Sequence, residues 1–306
     1  MALDPRYAKA RSALDGDYGL QISLAPAKDK AKLLRDMDRN TREALAANPD
    51  LWIPVAARAM YDAYRHDFVS ADRRFRQVAA LDKGMDPELR SKWANFEMLL
   101  GRVGKAVSLR QSNELIDPIQ RNDPFRIYDL EMRGKYQDSI DLFRRLERNE
   151  HTGLAGFVFH ASMSLLLSGR EADAIRFVEE QGLPAYAVDL RVIRDNRTLP
   201  AMPAAALRAW AEHQFGQGAE FPLAISGLYA GHYGHPALAV AFMRLAFEDP
   251  STGALWSLWH PAMSNARKTD EFEQLVADLG FVQAWRESGD WGDFCRPVSE
   301  TEISCT

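Results

Sequence analysis

The sequence has little cysteine, no long apolar run and no strong excess of either charge. Cys295 and Cys305 are the only cysteines in 306 residues, which excludes a disulfide-dense scaffold. No stretch approaches the ~18 consecutive apolar residues that span a bilayer, and even the run 237–247 is interrupted by Arg244. The net charge is −5, with acids and bases interspersed, so we expect no nucleic-acid binding by this segment.

We expect the first residues not to form a secretory signal, because they carry charges where such a signal has an apolar run. The tripeptide Leu3-Asp4-Pro5 matches Ile116-Asp117-Pro118 and Glu248-Asp249-Pro250, which we interpret as the ends of helix pairs. We therefore expect the chain to begin at a repeat junction and to be part of a longer protein. Any membrane attachment would then depend on a segment upstream.

What the sequence does contain is a recurring turn. Its members are His66, Gly101, Gly134, Gly169 and Gly234, which lie 35, 33, 35 and 65 positions apart. After most of them come a hydrophobic residue two positions on, a small residue about five on and an apolar one about nine on. A repeat of about 34 residues is typical of stacked helix pairs.

The rest of the pattern predicts an all-α protein. Helical periodicity runs almost everywhere, as in the second helix after Gly134, where Ser139, Ile140, Phe143 and Leu146 share one face. The pattern weakens over 182–218, where we expect a bend near Met202. We predict helical repeats over 1–250 and a tryptophan-rich C-terminal cap with a coil-like tail over 251–306.

The repeats resemble the tetratricopeptide-repeat family. The clearest match is Gly134-Lys135-Tyr136 followed by Ser139 and Phe143, and the resemblance spans roughly 3–250. The family's early tryptophan is kept at Trp52 and, less clearly, at Trp93. The resemblance implies a right-handed α-solenoid of about six to seven antiparallel helix pairs plus the C-terminal cap.

The tail resembles a narrower group. His260-Pro261, Asp270-Glu271-Phe272, Leu279-Gly280-Phe281, Gly289-Asp290-Trp291 and Asp293-Phe294-Cys295 are similar to the end of the helical-repeat region in bacterial membrane-anchored winged-helix transcriptional regulators. Spacing alone leaves Cys295 and Cys305 open as a disulfide or as two free thiols. The resemblance implies the disulfide, and with it a periplasmic location, the alternative being cytoplasmic.

Such a solenoid has a groove lined by the first helix of each pair, which suits a peptide or a partner helix. The predicted groove residues are Met60, Tyr64, Asn95, Tyr128, Glu131, Phe159 and Met163. The alternative is that these side chains pack between neighbouring repeats. Asn95 stands where some relatives clamp a carboxylate, but Ser91 and Pro124 at the accompanying positions do not complete that clamp.

Motifs for catalysis or cofactors are weak. Gly216-Gln217-Gly218 begins a dinucleotide motif that Phe221 breaks. His232 and His235 could form one edge of a metal site, although packing explains them better. An enzyme in 182–218 using His213 or Asp195 is a minor alternative.

We predict no cofactor, no metal and no enzymatic activity. The predicted function is a non-catalytic domain that binds a protein, a peptide or a second copy of itself in a bacterial signalling or regulatory protein. The alternative is a free-standing scaffold protein.

Overall fold

The structure, a computed structural model, describes residues 27–47, 52–81, 86–116, 124–150, 154–195, 202–215, 220–248 and 254–306, and these are mostly helical. The α-helices are α1 Ala27–Ala47, α2 Trp52–Tyr64, α3 Phe68–Leu81, α4 Pro87–Leu99, α5 Val103–Ile116, α6 Phe125–Met132, α7 Tyr136–Arg148, α8 Val158–Leu167, α9 Glu171–Glu180, α10 Pro184–Asp195, α11 Ala204–Phe215, α12 Glu220–His232, α13 Pro236–Ala246, α14 Asp270–Asp278 and α15 Phe281–Ser288.

Short 3-10 helices span Leu154–Phe157, Leu255–Trp259, Pro261–Met263 and Ala266–Lys268. Strands β1 Cys295–Pro297 and β2 Ile303–Cys305 form an antiparallel hairpin. The prediction of an all-α class is therefore confirmed. The predicted junctions at 3–5, 117–118 and 249–250 and the glycine motif at 216–218 lie outside the described residues.

All five predicted turns are confirmed, and they share one geometry. Each joins two helices through three residues, and the middle residue has positive φ, from 60° at His66 to 79° at Gly169. The N–H of the residue after the middle one donates to a carbonyl five positions back, as from Lys135 to Leu130 at 2.8 Å. This is the Schellman arrangement, which glycine favours because it has no Cβ to clash at positive φ.

The irregular stretch differs from the expectation in one respect. A sixth turn of the same kind lies at Gly182, with φ of 75°, rather than at Met202. Met202 and Pro203 instead lead into α11, where the Pro203 carbonyl accepts the first helical hydrogen bonds. Helix α10 packs against α9 and α12, so this stretch belongs to the same packed body.

Helices on either side of a turn pack against each other, most extensively α2 with α3, α4 with α5 and α12 with α13. The predicted face of α7 is buried through Ile140, Phe143 and Leu146. Ser139, small enough to allow close approach, donates to the Ile127 carbonyl of α6 at 3.0 Å. No described helix combines the length and the apolar character that crossing a membrane requires.

Residues 254–306, the C-terminal region, do not simply cover the last helix pair. Helix α15 contacts α3, and the 3-10 helix 255–259 contacts α4 and α12. One hydrophobic core contains side chains from both parts, including Phe75, Phe96, Trp259 and Trp285. The predicted coil-like tail forms the β1–β2 hairpin, in which Cys295 pairs with Cys305 and is bonded to it by a disulfide.

Candidate functional site

The C-terminal region lies against the first helices of several pairs. The Trp256 ring is 5.0 Å from the ring of Tyr128 on α6 and 4.7 Å from that of His160 on α8. On α12, a Cβ added to Gly231 would lie 2.5 Å from the Ala262 carbonyl oxygen. Because only a glycine permits this approach, α12 is shaped to receive the C-terminal region.

Two tryptophans fasten this region to the end of α4. The indole N–H of Trp259 donates to the Leu99 carbonyl at 2.7 Å, and that of Trp285 donates to the Leu100 carbonyl at 3.0 Å. The last carbonyls of a helix lack partners within it, so the indoles satisfy acceptors that would otherwise be buried and unpaired. The Gly101 carbonyl is likewise satisfied, by the Asp293 N–H at 2.8 Å.

Four predicted groove residues are buried beneath or beside this region. Tyr128, Glu131, Phe159 and Met163 are each no more than 4% exposed. Tyr128 and Phe159 both face the Trp256 ring. In this conformation a separate partner cannot reach these four side chains.

The other three predicted groove residues are half-buried. Met60 and Tyr64 pack in a small cluster with Leu33, Leu34, Met37 and Tyr61, and burial raises the pKa of Tyr64 to about 12. Asn95 accepts a hydrogen bond at 2.5 Å from Arg110, which also pairs with Asp129 on α6. Asn95 therefore helps to join α4, α5 and α6.

A buried arginine forms the first polar connection between the two parts. Arg102 is 1% exposed and binds Asp72 at 2.9 Å and Glu97 at 3.1 Å within the helix pairs. Its guanidinium also donates to two groups of the C-terminal region, the Asp290 carbonyl at 2.6 Å and the Ser288 hydroxyl at 2.8 Å. Because a buried charge needs its hydrogen-bond partners, these contacts fix the position of the C-terminal region on the helix pairs.

The second polar connection, which we call the Glu131 cluster, consists of Glu131, His160 and His260. Oε2 of Glu131 lies 2.6 Å from Nδ1 of His160, and Oε1 lies 3.3 Å from Nε2 of His260. All three residues are buried. Helices α6 and α8 supply the first two side chains and the C-terminal region supplies the third.

Burial also sets the protonation of the Glu131 cluster. It raises the pKa of Glu131 well above its ordinary value, against an opposing effect of the Ser164 hydroxyl. It lowers the pKa of His160 to about 3. It lowers the pKa of His260 well below the ordinary value too, helped by the nearby His160 and Arg267. All three shifts favour the neutral forms, as expected when charge is moved out of water.

The arrangement suits proton sharing. Each carboxyl oxygen of Glu131 faces a different imidazole, so the glutamate sits between the two rings. Among the described residues no group of three or more histidine, cysteine, aspartate or glutamate side chains is placed to hold a metal ion.

Comparisons with models of known families, with curated proteins and with solved structures gave no match. The two resemblances drawn from the sequence therefore stay predictions.

Sequence reasoning did not connect the members of the Glu131 cluster or of the Arg102 connection. His160 and His260 come from parts of the chain far apart in sequence, and no local pattern predicts which residues meet across the core. The usable signal was Glu131 itself, because an acid between the apolar residues Leu130 and Met132 on a predicted first helix needs a partner if it is buried.

Proposed function

We propose that this chain is a non-catalytic, protein-binding or sensory domain of a bacterial signalling or regulatory protein. In this proposal the helix pairs form a right-handed solenoid of the tetratricopeptide-repeat type. The support is the single turn geometry found at the five positions predicted from the repeat between His66 and Gly234, as expected if successive pairs are equivalent units.

The observation that carries the proposal is how the first helices bind the residues around Trp256 and Trp259. This stretch is mostly 3-10 helix and turn, and it binds through aromatic stacking and indole hydrogen bonds to backbone carbonyls. These are interactions that helical repeats offer to a bound peptide. The first helices therefore already bind one segment, which comes from the C-terminal region of the same chain.

A partner would then bind where the C-terminal region leaves the first helices half-exposed. The predicted groove residues of this kind are Met60 and Tyr64 on α2 and Asn95 on α4. We propose a periplasmic location for this domain, because disulfides such as Cys295–Cys305 form and persist in oxidising compartments.

Site-specific photo-crosslinking of the full-length protein in its own cells tests this proposal. A photoreactive phenylalanine at Met60 should give one discrete adduct, whereas the same residue at Gln137, exposed on α7, should not. The partner so identified should bind more weakly to Met60→Glu than to the unmodified protein. Equal adducts at both positions, or unchanged affinity, would remove α2 as the binding surface.

The parent gene distinguishes a regulator from a scaffold. An upstream winged-helix sequence and one apolar helix would support the regulator, and a gene without them would support the scaffold alternative.

A further inference from the structure

The Glu131 cluster joins the helix pairs to the C-terminal region with three buried titratable side chains. Nε2 of His260 and Oε1 of Glu131 are both buried, and neither makes a hydrogen bond to a described group in this conformation. The two atoms lie 3.3 Å apart, within ion-pair distance of each other. The state of one proton decides whether this contact is attractive.

The backbone determines where that proton lies on His260. Nδ1 of His260 accepts a hydrogen bond from the Ala262 N–H at 3.2 Å. A neutral imidazole has one N–H, so the proton of neutral His260 is on Nε2, the atom that lies 3.3 Å from Oε1 of Glu131. Oε1 must then accept, and a protonated Glu131 can donate from Oε2 to Nδ1 of His160. In this arrangement Glu131 and His160 are hydrogen-bonded, whereas Nε2 of His260 and Oε1 of Glu131 are within range of each other but are not aligned for a hydrogen bond.

The surrounding groups do not supply an opposite charge to the cluster. Those facing it from the packed elements are Tyr128, Tyr136, Asp129 with Arg110, His232 and Arg267. Arg110 is already paired with Asp129, and Arg267 donates to the carbonyls of His260 and Thr306. Burial is the dominant influence on all three members of the cluster.

We propose that Glu131, His160 and His260 form a proton-dependent latch that holds the C-terminal region on the helix pairs. In the closed latch Glu131 is a neutral carboxylic acid and both imidazoles are neutral, so the folded cluster binds one proton. The latch is strongest near pH 6.5, and it weakens toward either side.

The signs follow from linkage. The Glu131 pKa is raised on folding, so its contribution to stability is lost as pH rises above the ordinary value of 4.5. The histidine pKa values are lowered on folding, so their contribution is lost as pH falls below the ordinary 6.5. Near pH 6.5 the unfolded chain binds about one proton on two half-protonated histidines, which equals the folded state and places the maximum there.

The test is equilibrium unfolding of the full chain with and without Glu131→Gln, from pH 5 to pH 9. Glutamine keeps the same shape, and its amide can donate to His160 while its carbonyl accepts from His260. It lacks only the titrating proton. We expect the variant to become more stable relative to the unmodified protein as pH rises. The ratio of their unfolding constants should change tenfold for each pH unit, or 1.36 kcal/mol, up to the pH at which Glu131 ionises in the folded state. Glu147→Gln, at an exposed position on α7, gives the baseline.

If the ratio of the unfolding constants of Glu131→Gln and the unmodified protein does not change with pH, or changes in the opposite direction, the latch is overturned. If Glu131→Gln does not fold, the carbon-13 resonance of the Glu131 carboxyl in the unmodified protein decides the matter. At pH 7 we expect the frequency of a carboxylic acid, and that of a carboxylate would overturn the proposal.

Discussion

The turns at Gly101 and Gly134 have the same local structure and very different surroundings. Their φ values are 73° and 71°, and their closing hydrogen bonds measure 2.9 and 2.8 Å. A Cβ added at Gly134 would meet nothing within 4 Å, whereas one at Gly101 would lie 2.9 Å from the Trp259 ring. The repeat therefore determines the turn, but a distant part of the chain determines what covers it.

Trp259→Ala, which removes the ring that covers the Gly101 turn, should lower the free energy of unfolding more than the other variants. The ring is 1% exposed, packs against Phe272, Phe281 and Trp285 and satisfies the Leu99 carbonyl. We expect a loss of about 3–5 kcal/mol in the free energy of unfolding, measured by denaturant titration. Trp210→Ala, on a half-buried ring of α11 that packs on Phe242, should lose clearly less, and equal losses would contradict the comparison.

Arg102→Met tests the polar connection on the same side. Removing the guanidinium leaves the buried Asp72 and Glu97 without their shared partner, so we expect a loss of about 3–5 kcal/mol. Arg244→Met is the control, because Arg244 pairs with Asp278 on the surface and such pairs contribute about 0–1 kcal/mol. A loss at Arg102 as small as the control's would mean that this contact does not hold the C-terminal region.

The disulfide should contribute less. Replacing both Cys295 and Cys305 with serine opens a loop of sequence separation 10, which the chain-entropy estimate values at about 2–3 kcal/mol. We expect the same loss when the unmodified protein is reduced, and no effect of reductant on the double variant. Thiol titration of unreduced, denatured protein should find none, and two free thiols would contradict the bond.

The difference between two glycine variants is the smallest and most specific effect. Gly134→Ala should cost about 1–2 kcal/mol because alanine is strained at positive φ. Gly101→Ala carries the same strain and also displaces the Trp259 ring, which adds about 1–3 kcal/mol of overpacking. The difference between the two variants in denaturant titration measures the covering alone, and equal losses would show that Trp259 does not press on the turn.

The sequence predicted the features that depend on residues close to one another in the chain. The turns at His66, Gly101, Gly134, Gly169 and Gly234 were predictable because positive φ and helix termination depend on a few adjacent residues. The turn at Gly182 was missed because it follows Gly169 by 13 positions and so falls outside the 34-residue period.

The candidate site was not predictable to the same degree. Tyr128 and Phe159 were predicted to lie on the inner face of the first helices, and the structure covers both with Trp256. Nothing near these residues in the sequence indicates that cover, because it comes from a segment joined to them only through the folded core. The same holds for the pairing of Glu131 with His260.

Hydrogen exchange of the tryptophan indoles tests most directly whether the C-terminal region is an integral part of the helical body. The account predicts that the indole protons of Trp259 and Trp285, bonded to Leu99 and Leu100, exchange only through global unfolding. Their opening free energy should then equal that of the slowest backbone amides of α4. Indole exchange through a smaller opening that leaves the α4 amides protected would contradict the account.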